Sequence, residues 1–144
     1  MKKRASFDLA FFHQIKLMIL GIGVDILYLP RITSLASRRG KEKLAKRILS
    51  TKELNEFNQL KFVHEHNYIM YLATRWCIKE AVYKALYPIH RLEWKQVTVT
   101  KTGGKPMLMI ENSLLYGIQR THVSVSHDGD YAMAQVILEG QKSA

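Results

Sequence analysis

The chain has 144 residues, and its 22 lysines and arginines against 12 acids leave a net charge of +10. That length fits one domain able to bury its own core, and 47% hydrophobic with 24% charged residues is the composition of a soluble globular protein. The basic surplus favours a polyanionic partner (nucleic acid, an anionic membrane, a phosphorylated ligand or an acidic protein) without choosing among them. A single cysteine, Cys77, excludes an intramolecular disulfide and a cysteine-built zinc site, and suits a reducing compartment.

The N-terminus, MKKRASFDLAFFHQIKLM, carries Lys2, Lys3, Arg4 and Lys16 against the single acid Asp8. His13, Gln14 and Lys16 interrupt its apolar run, so it reads as an organellar presequence or as an arm on an intracellular protein rather than as a secretory signal. Residues 1–17 are therefore an extension and 18–144 a single domain, with a mitochondrial location slightly favoured over a cytoplasmic one. The run LMILGIGV is about a third of the length a membrane span needs, and Asp25 closes it.

ILGIGVDILY (19–28) reads as a buried strand in which Gly21 and Gly23 allow close backbone approach. Pro30 opens a basic helical region, 31–49, and Ser50 with Glu53 matches a capping box ahead of a short helix containing Leu54, Phe57 and Leu60. The longest helix spans 66–87, with Leu72, Trp76, Ala81, Val82, Ala85 and Leu86 as its apolar stripe and Pro88 as its stop. The period then changes to two. QVTVT and PMLMI flank KTGGK as a hairpin with a longer loop, and Asn112 or Ser113 caps a brief helix through Tyr116. THVSVSH and YAMAQVIL flank the tight turn DGD. Helices first and hairpins later predict an α+β fold, with helices packed on a mostly antiparallel sheet.

Three residues draw attention. Asp25 follows a buried apolar strand, where a carboxylate is costly unless it reaches water, caps a backbone group, or binds a cation. Glu80 and Lys84 form an i, i+4 pair worth only about 0.2–0.5 kcal/mol at a surface. Trp76 and Tyr83 flank Glu80, however, so this carboxylate with its lysines suits a metal and a phosphate as well as a solvated face. His127 sits at a hairpin mouth. It forms no triad with Ser126 and Asp128, because sequence neighbours in a strand point to opposite faces. GIG lacks the third glycine of a dinucleotide fingerprint, and neither HExxH nor a Walker A loop occurs.

GIGVDILYLPRI (21–32) resembles the motif G-x-G-x-D-I/V of the phosphopantetheinyl transferases, in particular the short holo-[acyl-carrier-protein] synthase type, with an arginine six residues after the aspartate. RWCIKEAVYKAL (75–86) is similar to that family's R-F/W-x-x-K-E-A-x-x-K-A, and VSVSHDGDYAMAQVI (123–137) to its S-x-S-H-x-x-x-Y-A. GGKP (103–106) and RILSTKE (47–53) resemble lesser family segments, so the likeness runs from about residue 18 to 139 in the family's order.

The resemblance implies transfer of 4′-phosphopantetheine from coenzyme A to a serine of an apo acyl carrier protein, releasing adenosine 3′,5′-bisphosphate. It implies Mg²⁺ on Asp25 and Glu80, with Lys84 neutralising the phosphates and Glu80, directly or through a metal-bound water, helping to deprotonate the serine. By the same analogy Arg75, Lys84, Lys105, Ser126 and His127 bind coenzyme A. Arg31, Leu35, Arg38 and Lys41 on the first helix bind the acidic carrier protein, and the chain is a homotrimer with sites at subunit interfaces. No nucleic acid or membrane partner is implied. YPIHRLEW (87–94) replaces the glycine-rich turn common in bacterial members, and an extension precedes Met18.

Two other readings compete. A small basic nucleic-acid-binding module would explain the charge, but calls for aromatic and basic residues interleaved on strands, whereas the last hairpin offers Tyr131 alone. A catalytically silent carrier-protein binder would not need Asp25, Glu80 and Lys84 together.

Overall fold

The computed structural model describes residues 16–141; most of the N-terminal extension lies outside them. The chain runs β1 (Met18–Tyr28), α1 (Leu29–Arg39), α2 (Lys41–Ile48), α3 (Thr51–Gln59), α4 (Glu65–Leu86), β2 (Val97–Thr102), β3 (Lys105–Ile110), β4 (Ile118–Asp128) and β5 (Tyr131–Gly140). Single turns of 3-10 helix cover Trp94–Gln96 and Ser113–Tyr116. β1, β5 and β4 form a three-stranded sheet in that order, β2 and β3 a separate hairpin, and every pairing is antiparallel. The α+β architecture expected from the sequence is the one observed.

Alternation decides which face of the main sheet is covered. Gly23, Asp25 and Leu27 of β1, with Ala132, Ala134, Val136 and Leu138 of β5, are buried beneath α4. Their neighbours Ile22, Val24, Ile26, Tyr28, Tyr131 and Met133 point the other way and form an apolar face left open to solvent, with Ile26 65% exposed.

The glycines of GIG make the contact between β1 and α4. A Cβ on Gly21 would stand 1.8 Å from the Ala85 carbonyl oxygen, and one on Gly23 1.7 Å from that of Ala81. Helix backbone therefore lies directly on strand backbone, which only residues without a Cβ permit. α4 is also covered by α1 and α2, so the predicted apolar stripe widens: Tyr68, Ile69, Ala73, Cys77 and Ile78 are buried too, while Trp76 is half-buried.

Two boundaries differ from expectation. The basic region 31–49 is two helices, because Gly40 adopts φ 86° and breaks the run between α1 and α2. The loop between β2 and β3 is tighter than expected. Thr102 pairs with Lys105, and Gly103 and Gly104, both at positive φ, make a two-residue turn. No helix among the described residues is long and apolar enough to cross a membrane.

Candidate active site

The site forms where β1 passes under the last turns of α4. Gly21 meets Ala85 and Gly23 meets Ala81, so Asp25, the next residue on that face, lies against the turn carrying Cys77. Its carboxylate is nearly buried, and Lys84 reaches back to it: Nζ lies 2.9 Å from Oδ1 and donates to the Val24 carbonyl at 3.1 Å. Burial, followed by the charge and hydrogen bond of Asp25, pushes the Cys77 thiol up to about 12. Cys77 is thus an inert thiol at neutral pH, not a nucleophile.

Glu80 does not pair with Lys84, as helix spacing alone suggests. Its Oε2 accepts a hydrogen bond from the indole Nε1 of Trp94 at 3.1 Å. Lys84 prefers Asp25, where a nearly buried carboxylate and a backbone carbonyl offer two acceptors at once. Glu80 opens into a cleft of 590 Å³ lined also by Arg47, Tyr83, Glu93, Trp94 and Lys95.

The donor set suits a hard cation. Asp25 and Glu80 come from two rigid elements and supply carboxylate oxygens, and Mg²⁺ is commonly held by one or two carboxylates together with substrate phosphates. No group of three or more His, Cys, Asp or Glu side chains among the described residues would hold a metal unaided. Such an ion would therefore depend on ligand oxygens as well as on these two residues.

Glu53 was legible only as the end of a capping box, which does form: Ser50 Oγ accepts from the Glu53 N–H at 3.3 Å, and Glu53 Oε2 from the Ser50 N–H at 2.8 Å. The same carboxylate, fully buried, also accepts from Lys79 Nζ at 2.5 Å and from the Val99 N–H at 2.8 Å, and lies 3.7 Å from Arg75 Nε. Lys79 in turn donates to the Trp94 carbonyl at 3.1 Å. Burial lowers the pKa of both Arg75 and Lys79, and the Glu53 charge acts against it.

This network takes Arg75 away from the role the motif suggested. Its guanidinium is buried, stacked 3.3 Å from the Tyr71 ring centroid and turned to Glu53, not to the cleft. Lys79 of the same motif is likewise a buried structural cation. His127 pairs with Ala132, which pairs with Leu27, so it shares the Asp25 side of the sheet and stands exposed at its rim. Ser126 pairs with Met133 on the opposite, open face. Lys105 lines a shallow hollow with His122, Ser124 and Gln135 on that face as well. Neither Ser126 nor Lys105 is on the Glu80 side of its own chain.

Of the four residues expected to meet a carrier protein, Arg31, Leu35 and Arg38 line one concavity with Arg39, Arg47 and Trp76. Lys41 faces elsewhere, its ammonium 4.8 Å from the Tyr68 ring centroid. Arg47 lines both this basic concavity and the Glu80 cleft, joining the two. Sequence reasoning missed it, although it stands in RILSTKE, and missed Trp94, which lies in a loop without periodicity.

A helix laid on a glycine-paved strand, Asp25 and Lys84 paired at the crossing, Glu80 in the neighbouring cleft and an arginine-lined concavity beside it suit an enzyme site for an anionic substrate. The sequence profile of the 4′-phosphopantetheinyl transferase superfamily matches residues 21–136, and the chain belongs to that family. A holo-[acyl-carrier-protein] synthase of Staphylococcus aureus (strain Newman) is 38% identical over 125 residues, spanning 85% of this chain and 97% of that protein. One of Clostridium tetani is 34% identical over 131 residues, spanning 86% and 98%. The crystal structure of the synthase from Neisseria meningitidis matches with a TM-score of 0.72 and 33% identity over 84% of this chain and 98% of that one. The Bacillus anthracis synthase, in complex with CoA (3′,5′-ADP), matches with 0.69 and 31% over 86% and 99%.

Proposed function

We propose that this protein transfers 4′-phosphopantetheine from coenzyme A to a serine of an apo acyl carrier protein, with Mg²⁺ held by Asp25 and Glu80. The observation that carries this reading is the Asp25–Lys84 ion pair at the β1–α4 crossing, with Glu80 one helical turn before Lys84 on α4 and opening into a cleft that has Arg47 and Lys95 at its walls. Phosphoryl transfer asks little covalent chemistry of a protein; positioning and charge stabilisation supply most of the acceleration. When bound, Mg²⁺ neutralises charge on the pyrophosphate. Lys84, half exposed, is free to exchange its contact with Asp25 for phosphate oxygens. Glu80 opens into the cleft and is placed to take the serine proton. The test is the mass of an apo carrier protein after incubation with this enzyme, coenzyme A and Mg²⁺. The expected result is one phosphopantetheine added per carrier, and no adduct on mitochondrial, bacterial or fatty-acid-synthase carriers would overturn the reading.

The concavity of Arg31, Leu35 and Arg38 supports docking of the carrier there. Cationic side chains facing an acidic partner set on-rate and register more than raw affinity. Reversing charge at Arg31 and Arg38 together is expected to raise the KM for carrier protein at least about 10-fold, steeply relieved at low salt, and to leave the KM for coenzyme A unchanged. An unchanged carrier KM would return these arginines to an ordinary solvated face.

A homotrimer is the assembly this reading favours. Ile22, Val24, Ile26, Tyr131 and Met133 form an exposed apolar sheet face of the kind that marks an interaction surface. Lys105 and Ser126 lie on that open side, away from the Glu80 cleft of their own chain, which supports a role for them at a neighbouring subunit's cleft. Sedimentation equilibrium is expected to return three times the 16.7 kDa chain mass. Ile26→Asp should yield monomers without transferase activity, and a fully active monomer would rule out the shared site.

A further inference from the structure

We propose that Trp94 is a positioning residue for the metal, its indole N–H holding the Glu80 carboxylate in its ligating orientation; this rests on the assignment of Glu80 above. Trp94 Nε1 donates to Glu80 Oε2 at 3.1 Å. An indole N–H can only donate, and a carboxylate has about four lone-pair sites, so this bond orients Glu80 while leaving Oε1 and the rest of Oε2 available. The bond is of the charge-assisted kind, stronger than one between neutral partners.

Trp94 is itself fixed from three sides. Its carbonyl accepts from Lys79 Nζ at 3.1 Å, and Lys79 is locked to buried Glu53. The 3-10 turn that carries it is closed by a capping box, in which the Gln96 side chain accepts from the Glu93 N–H at 2.9 Å. Its ring meets Trp76 edge-on, with centroids 4.8 Å apart. The donor is therefore set before any ligand arrives. The buried ion pair gains a purpose beyond stability, since it anchors the backbone from which the indole reaches Glu80. Outer partners of this kind commonly hold metal-ligating side chains in orientation, and their removal weakens metal affinity about 10–100-fold.

Trp94→Phe keeps the ring and removes only the N–H. The probe is Mn²⁺, titrated into the full-length protein with coenzyme A present and followed by loss of the free-ion electron paramagnetic resonance signal. Trp94→Phe is expected to raise the Mn²⁺ Kd about 10-fold, and likewise the Mg²⁺ concentration at half-maximal activity, with carrier-protein KM unchanged. In a Glu80→Gln background the same substitution should add no further loss of Mn²⁺ affinity, because there is no carboxylate left to orient. A wild-type Mn²⁺ Kd in Trp94→Phe overturns the proposal, whether or not its melting temperature falls. An additive loss in the Glu80→Gln background overturns it too. If wild-type protein binds coenzyme A but no Mn²⁺, the metal assignment and this proposal fall together, whereas wild-type binding with an indifferent Trp94→Phe removes the proposal alone.

Discussion

Glu53→Ala is expected to destabilise the protein by about 3–5 kcal/mol, the cost of leaving a buried cation without its partner. Glu53 is fully buried, satisfies Lys79 and the Ser50 and Val99 N–H groups, and lies 3.7 Å from the Arg75 Nε. A methyl group satisfies none of them. A domain of this size has about 5–15 kcal/mol of stability in total, so the thermal midpoint should drop by on the order of 10 °C or more. Urea unfolding with an unchanged slope provides the measurement, and a loss below about 1 kcal/mol would show that the network adds little. The variant should also acquire a particular pH dependence. Burial lowers the pKa of Lys79 from its ordinary 10.5, and Glu53 opposes that shift. Without Glu53 the native pKa falls further. As pH rises from that depressed value to 10.5, the unfolded chain still binds a proton that the native one does not. In that window stability increases with pH, and part of the loss returns.

Glu80→Gln is expected to reduce transfer to a carrier protein by at least about 100-fold, at or beyond the upper end of what loss of an outer partner of a metal costs. The amide oxygen can still accept from Trp94 Nε1, so fold and cleft should be retained and the melting temperature should move little. What disappears, on the proposed reading, is a charged oxygen ligand for Mg²⁺ and the group that takes the serine proton. The initial rate of adduct formation by mass, measured across a Mg²⁺ titration, separates the two. Loss of the ligand is partly repaired by high Mg²⁺, whereas loss of the base is not. Activity near wild type at low Mg²⁺ would remove Glu80 from the site altogether.

The salt bridge that helix spacing suggests between Glu80 and Lys84 is absent, and the reason is instructive. An i, i+4 pair gains a few tenths of a kcal/mol, so any better partner displaces it. Lys84 finds Asp25 and the Val24 carbonyl 59 and 60 residues away in sequence, and Glu80 finds an indole 14 residues on. Local rules name the side chains of the site; long-range contacts choose their partners.

Much was determined by the sequence alone. Period-two alternation placed both hairpins, the Ser50–Glu53 spacing placed the start of α3, and the stop at Pro88 placed the end of α4, because these signals act over a few residues. The three motifs named Asp25, Glu80 and Lys84. The tertiary structure alone decided the rest. It turned the GIG glycines into the seat of α4, since only the packed helix shows what a Cβ would strike. It made Glu53 a buried hub and withdrew Arg75 and Lys79 from the surface, since burial on a helix enclosed by sheet and helices leaves no periodic trace. It put Ser126 on the open face of the sheet, because strand register, not spacing, assigns sides, and brought Lys105 of the separate hairpin beside that face. Trp94 came to Glu80 by the same route: a loop without a pattern, anchored by a buried ion pair, reaches its partner only when the chain is folded.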